Sequence, residues 1–424
     1  MTACRPETPR ATPPLTYAAR DARPEDALSG DVRAEGALSE DTSEDARSRK
    51  ARSAGPVVTE VRLSSFASHR GAALPIGPLT LFAGPGGSGK SSALRAYEAL
   101  ARLGAGDSLA EVFPDPAAHV PEGTGPDAQG RRGFRIGCTA DGPAGPVHLD
   151  LAVQAEPTLR IVGERLTGGG ETLLTTALRD PGRPTVQAAW HTAGAVPVTR
   201  APLPDDLLGT ALLPLRVAGT TEGQLRVLAA AEQMVVAVRS VFACAPRPEL
   251  MRAPVPAGAD RLRRGCDNLA AVLARTYTQC GRRHAWLVAA ARAGCAGTVT
   301  GLGVEQLTDG LLHATVGRED GRLTPAGRLG DSELRYLALA LVLLTGPGVL
   351  AMETAVEVPS ALQTLTVLVD GVDRDLDRRQ LRELLALAAS IVTAGHLRLV
   401  GTIAESAAEQ ARGMAGVTVV DLHP

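Results

Sequence analysis

A glycine-rich segment of the chain has the residue types and spacing needed to hold a row of phosphates. Its residues are Gly84, Pro85, Gly86, Gly87, Ser88, Gly89, Lys90, Ser91 and Ser92. Glycines let several backbone N–H groups face one anion, at the positive end of the helix that follows. Lys90 adds a mobile cation, and the Ser91 hydroxyl is suited to Mg²⁺. Because Lys50 and Lys90 are the only lysines, this pattern is specific, and we predict that it binds ATP with Mg²⁺.

An acid at the end of an apolar run supplies the second group that such a site requires. The sequence LTVLVD, residues 365–370, reads as a strand that ends in Asp370. In P-loop nucleotide hydrolases, an acid in this position holds the magnesium together with the hydroxyl of the phosphate loop. We therefore predict that Ser91 and Asp370 are the magnesium residues.

Hydrophobic spacing predicts the elements that position these groups. The apolar run LTLFA predicts a strand directly before the loop, and SSALRAYEALARL predicts a helix directly after it. Alternating helices and strands are predicted near the other end of the chain, at 332–344, 365–370, 378–393, 397–402 and 417–422. The two ends of the ordered chain are therefore expected to build one α/β nucleotide-binding sheet.

The middle of the chain has a different pattern. Strands predicted at 133–139, 147–153 and 158–162 are expected to form one antiparallel sheet. Helical spacing follows, most clearly at 224–241 and 268–277, and strand-like segments return at 299–316.

Several segments resemble the SMC/RecF-type ABC ATPases. The stretch VRLSSFASHRGAALPIGPLTLFAGPGGSGKSSALRAYEAL is similar to their β-lobe strand and phosphate loop, and LTVLVDGVDRDLDRRQLRELL is similar to their Walker B strand, D-loop and next helix. RLRRGCDNLAAVLAR is similar to a segment of predicted bacterial ATPases of this group, and LGDSELRYLALALVLL stands at their signature helix. The resemblance runs from about residue 57 to the end. It implies an α/β P-loop NTPase fold of ABC type, with an antiparallel β-lobe and an inserted helical region.

The resemblance also implies how subunits would associate. In this family ATP lies between the phosphate loop of one subunit and the signature of another, so a homodimer through a nucleotide sandwich is expected. The signature-like residues are Leu329, Gly330, Asp331, Ser332 and Glu333. Here Gly330 replaces the usual serine and Ser332 replaces the usual second glycine, which weakens the expected contact to the partner's γ-phosphate.

Two catalytic positions depart from the family pattern. Gly371 follows Asp370 where the family has the glutamate that polarises the attacking water, and residues 399–404 offer no histidine to contact the γ-phosphate. Asp373 is our candidate for a substitute base, with Asp375 beside it; the alternative is that both are solvated loop residues. We expect a slow ATPase or a nucleotide-gated switch that dimerises or engages a protein partner. A regulatory nucleotide sensor without hydrolysis is the alternative.

Composition and pattern also divide the chain. Residues 1–55 carry few large apolar side chains and are expected to be a disordered tail. Residues 56–424 are expected to form a single discontinuous ATPase domain. Its parts are an N-terminal lobe at 56–180, a mainly helical insertion at 181–325 and a C-terminal lobe at 326–424.

Charge and apolar runs limit the partners. A net charge of −2 gives no general attraction to nucleic acid, so a RecF-like DNA-repair role would require a local basic surface, for example around Arg263 and Arg282. No apolar run is long enough to span a membrane, no signal peptide is recognisable, and the six cysteines lack metal-ligand spacing. We expect a cytoplasmic protein.

Overall fold

The computed structural model describes residues 55–192, 198–258, 261–352 and 363–423. The predicted disordered tail lies outside these ranges, apart from Gly55. The described chain forms two compact units: Pro246–Thr345, called here the smaller unit, and the residues before and after it, called the larger unit. The lobe boundaries proposed from the sequence at residues 180 and 325 stay a prediction.

The strands are numbered in chain order. They are β1 Val57–Phe66, β2 His69–Pro75, β3 Leu79–Ala83, β4 Arg132–Asp141, β5 Val147–Glu156, β6 Arg160–Gly168, β7 Glu171–Ala177, β8 Thr185–His191, β9 Val198–Pro204, β10 Val241–Cys244, β11 Val255–Pro256, β12 Val299–Gln306, β13 Leu311–Arg318, β14 Leu323–Pro325, β15 Leu365–Val369, β16 Leu397–Thr402 and β17 Thr418–Asp421.

The α-helices are numbered in the same way. They are α1 Lys90–Ala105, α2 Leu109–Val112, α3 Gly209–Leu212, α4 Glu222–Arg239, α5 Pro248–Met251, α6 Leu269–Gln279, α7 Gly281–Gly294, α8 Asp331–Leu344, α9 Arg378–Thr393 and α10 Glu405–Arg412.

The larger unit contains a parallel sheet of five strands in the order β10-β15-β16-β3-β17. Every residue of β3 and β15 is buried, as expected of strands covered on both faces. The prediction that the two ends of the chain share one sheet is confirmed. Because the strands are parallel, the ends of β3, β15 and β16 meet at one edge, and β16 lies between the other two.

The same unit contains a second sheet, of eight antiparallel strands in the order β2-β1-β4-β5-β6-β7-β8-β9. Helix α4 packs against it, and the buried Met234 Sδ lies 3.4 Å from Cys138 Sγ of β4. The sequence predicted strands at the places of β4, β5 and β6, and the resemblance placed a β-lobe strand at β1. The sheet continues through β8 and β9, so residues 185–191 and 198–204 are strands within a region expected to be mainly helical.

The smaller unit combines strands β11 to β14 with helices α5 to α8. Helices α7 and α8 approach closely where Gly294 lies against Tyr336; a Cβ at Gly294 would lie 2.0 Å from the Tyr336 ring. The predicted helices at 268–277 and 332–344 agree with α6 and α8, and the strand-like stretch at 299–316 contains β12 and most of β13.

Candidate nucleotide-binding site

The phosphate loop joins the end of β3 to the start of α1, as the sequence predicted. Gly84, Gly87 and Gly89 have φ values of +143°, +83° and +87°, which residues with a Cβ rarely adopt. A Cβ at Gly84 would also lie 2.3 Å from the Leu422 carbonyl oxygen. The loop thus depends on glycine at these positions for its shape.

Donors in the loop remain available for an anion. Among the residues that the structure describes, the N–H groups of Gly87, Gly89 and Lys90 have no acceptor. The Ser88 hydroxyl has no hydrogen-bond partner there either, although the residue is only 3% exposed. Buried polar groups are nearly always satisfied, so this set of donors fits a phosphate at the start of a helix.

Lys90 lies over the same loop. Its Nζ donates to the carbonyl oxygens of Gly84 at 2.6 Å and of Pro85 at 2.8 Å. A lysine ammonium is a compact cation on a flexible stem, so these carbonyls can be exchanged for phosphate oxygens. Pro85 and Gly86 form the exposed tip of the loop, and Ser92 is partly buried in the first turn of α1.

The two predicted magnesium residues are in direct contact. Ser91 Oγ donates to Asp370 Oδ1 at 2.9 Å, across 279 positions of sequence. Thr402, the last residue of β16, donates to the same oxygen at 2.7 Å, and its hydroxyl accepts from the Gly371 N–H at 2.7 Å. One carboxylate and one hydroxyl fit Mg²⁺, which keeps several waters and takes few protein ligands.

Gly371 has a backbone that resists the residue expected there. Its φ is +72°, and a Cβ at this position would lie 3.1 Å from Arg374 Nε and 3.3 Å from Arg374 Nη2. The guanidinium therefore lies beside the position where the resemblance seen in the sequence would place a glutamate.

Asp373, our candidate base, is held by a backbone group. Its two carboxylate oxygens lie 3.3 and 3.2 Å from the Ala404 N–H, at the start of α10. Asp375 is exposed and has a φ of +62°. The catalytic role of Asp373 stays a prediction.

The signature-like residues lie in the smaller unit, at the start of α8. Glu333 accepts from the N–H groups of Gly330 at 3.1 Å and Ala296 at 2.9 Å. Arg252 donates to the Leu329 carbonyl at 3.0 Å and to Asp331 at 2.6 Å. The carboxylates of Asp331 and Glu333 thus both accept hydrogen bonds within the smaller unit, and Ser332 is partly exposed.

Sequence reasoning missed two residues that contact this site, Thr402 and His69. Thr402 ends the strand between β3 and β15, and its position beside Asp370 follows only from the strand order. His69 Nε2 lies 3.0 Å from the carbonyl oxygen of Gly89. Nothing in the local sequence marks His69, since the contact depends on how the β1–β2 hairpin meets the loop.

The aromatic ring of His119 packs at the turn of that hairpin, where the Ala67 N–H donates to the His119 carbonyl oxygen at 2.7 Å. It stacks on Phe66 with a ring-centroid distance of 5.2 Å, and Phe113 and Phe134 pack edge-on around it. Burial, and then the charge of Arg95, lower the pKa of His119. The cluster is therefore suited to a neutral imidazole.

Groups of three or more His, Cys, Asp or Glu residues that could hold a metal are absent from the described ranges. Within those ranges, the helices are too short or too polar to cross a membrane. The described cysteines are free thiols; Cys138, Cys244, Cys266 and Cys295 are buried, and Cys280 is partly exposed.

Comparison with known proteins finds similarity at the level of structure alone. No protein-family model matches the chain, and no curated protein matches it. An SMC head bound to the C-terminal winged-helix domain of ScpA is 11% identical, with a TM-score of 0.45, over 82% of this chain and 90% of that one. The SMC head domain from Thermotoga maritima is 12% identical, with a TM-score of 0.39, over 83% of this chain and 91% of that one.

A third similar structure is an Smc head domain with an extended coiled coil, bound to the C-terminal domain of ScpA and derived from Pyrococcus furiosus. It is 10% identical, with a TM-score of 0.41, over 84% of this chain and 91% of that one.

Proposed function

We propose that this chain is an ATP-binding protein of the SMC/RecF-type ABC ATPase class, a nucleotide-gated switch that hydrolyses ATP slowly. The observation that carries the proposal is the 2.9 Å contact between Ser91 Oγ and Asp370 Oδ1. It joins a glycine loop at a helix start to an acid at the end of a parallel strand, which is the arrangement that P-loop proteins use for ATP and Mg²⁺.

Each part of the site has a definite role in this proposal. The N–H groups of Gly87, Gly89 and Lys90 and the Ser88 hydroxyl bind the phosphates, and the Lys90 ammonium neutralises their charge. Ser91 and the Asp370 carboxylate, the latter through water, would hold the magnesium, and Thr402 fixes the orientation of that carboxylate. The bound ion would screen charge between the outer phosphates.

Slow turnover follows from the residues that come directly after Asp370. Gly371 has no side chain to accept a proton from water, and the Asp373 carboxylate faces the Ala404 N–H. Positioned general bases contribute on the order of 10²- to 10⁴-fold to rates. A site that binds without this contribution suits a switch whose state lasts as long as the nucleotide stays bound.

The proposed output of the switch is association. In the family, the signature of a second subunit completes the nucleotide site, so ATP would favour a homodimer. Leu329 to Glu333 would provide that surface, weakened because Gly330 lacks the usual hydroxyl. A separate protein partner is the other form of output, and it suits the alternative of a regulatory sensor that never hydrolyses ATP.

Equilibrium binding of labelled ATP with Mg²⁺ tests the proposal. Lys90→Ala should weaken binding about ten- to a hundredfold, because loss of a charge-assisted contact to phosphate costs about 1.5–3 kcal/mol. Lys50→Ala, at the one other lysine, is the matched control and should bind as the wild type does. Equal binding by wild type and Lys90→Ala, or no binding by either, would overturn the proposal.

A further inference from the structure

His69 joins the β1–β2 hairpin to the phosphate loop. The residue is 9% exposed, and its Nε2 lies 3.0 Å from the Gly89 carbonyl oxygen. The packing is close, because a Cβ at Gly89 would lie 2.4 Å from His69 Nε2 and 2.6 Å from Ser68 Oγ. A carbonyl oxygen can only accept, so Nε2 carries the proton and donates in this contact.

The bonded carbonyl belongs to the peptide that precedes Lys90. It accepts a second hydrogen bond, from the Ala93 N–H at 2.9 Å, in the first turn of α1. In a trans peptide the C=O and N–H groups point in opposite directions from one plane. When His69 and Ala93 hold the Gly89 carbonyl, they also fix the direction of the Lys90 N–H, which has no acceptor among the described residues.

We propose that His69 is a positioning residue for the triphosphate: its Nε2–H holds the Gly89–Lys90 peptide so that the Lys90 N–H faces the phosphates. This inference rests on the proposed function. His69 acts through the loop backbone, so it contributes to recognition of the phosphates and not of the nucleoside. Since Gly89 has a φ of +87° and glycine has few steric constraints, the hydrogen bond from His69 adds to that from Ala93 in selecting one orientation.

Replacement of the donor tests this role. His69→Phe keeps a ring and loses the donor, and it should weaken ATP binding about three- to tenfold, the value of one net hydrogen bond. His69→Gln places an N–H at a similar reach and should restore binding to within about twofold of wild type. Adenosine, which lacks phosphates, should compete equally well with all three proteins.

His284 provides the matched control. It is also buried, and its Nε2 lies 3.1 Å from a carbonyl oxygen, that of Leu302 in the smaller unit. His284→Phe should leave ATP affinity unchanged. Thermal unfolding of each variant separates loss of fold from loss of binding, and His69→Ala replaces His69→Phe if the larger ring prevents folding.

The outcomes separate the two proposals. Wild-type affinity in both His69→Phe and His69→Ala, with Lys90→Ala defective, would overturn the role of His69 and leave the ATP site intact. Equal weakening in His69→Gln and His69→Phe would also overturn it, since the donor would then not be the property that matters. ATP binding that is insensitive to Lys90→Ala would instead overturn the proposed function.

Discussion

Two neighbouring loops at the same edge of the parallel sheet differ in what they are equipped to do. The phosphate loop offers N–H groups, a cation and a hydroxyl that contacts Asp370. The loop after Asp370 offers a glycine with φ +72°, an arginine beside it and an acid bonded to a backbone N–H. The first loop carries the groups that the proposed nucleotide site requires, whereas the second has glycine in place of the expected base and an acid that already accepts from a backbone N–H.

The groups that bind phosphate and the position of the base lie on separate segments, which can be altered independently. A loop built from glycine geometry and backbone donors keeps its function only if its shape is kept. By contrast, the base is one side chain, and one substitution removes it.

The largest effect is expected for Asp370→Asn, which removes the charge that faces the magnesium. Loss of a group that holds a metal through water typically costs about ten- to a hundredfold in metal affinity. ATP binding should weaken to that extent with Mg²⁺ and change little with EDTA. Asp375→Asn, at an exposed acid five residues on, is the control and should match wild type in both conditions.

The next largest effect is expected for Gly371→Glu, which places a carboxylate in the second loop. The positive φ should lower stability by about 1 kcal/mol, and Gly371→Ala should share this loss. The new carboxylate would pair with Arg374, so we expect ATP turnover to stay low in Gly371→Glu and to rise when Arg374→Ala is added. A tenfold rise in the single variant would show that the backbone accommodates a base there without further change.

Substitutions at Asp373 test whether this acid has a structural or a catalytic role. If its carboxylate serves to cap α10, Asp373→Ala should lower stability by about 1 kcal/mol, and Asp373→Asn, which keeps an acceptor, should lower it less. Turnover should stay within about twofold of wild type in both. Loss of turnover in Asp373→Asn at normal stability would instead identify Asp373 as the base.

The smallest expected effect is on the pH dependence of stability. The pKa of His119 is lower in the folded protein than in the unfolded chain. The stability that the neutral imidazole contributes is therefore fully present above the unfolded pKa of about 6.5, and it is lost as pH falls through the folded pKa. His119→Phe keeps the stacked ring and removes this loss. Urea unfolding at about pH 7.5 and about pH 5 should show that the free energy of unfolding decreases less in the variant than in wild type on going to the lower pH. Equal decreases in the two proteins would contradict this.

Much of the parallel sheet could be predicted from sequence, because its strands are continuous apolar runs and its helices show clear spacing. The contact between Ser91 and Asp370 could also be predicted, since each residue follows a predicted strand. The contacts of Thr402 and His69 were not, because they depend on strand order and on how a hairpin meets a loop. The strands β8 and β9 were missed since their sequences alternate with many small residues and resemble loop.

The most direct test of the account is a single-turnover experiment on ATP bound to the wild-type protein with Mg²⁺, quenched over time and analysed for ADP. We expect bound ATP to persist, with a hydrolysis rate below about 10⁻³ s⁻¹, the range of a P-loop protein that lacks its catalytic contact. Hydrolysis at about 1 s⁻¹ or faster, the range of efficient phosphoryl-transfer enzymes, would contradict the account and show that another group supplies the base.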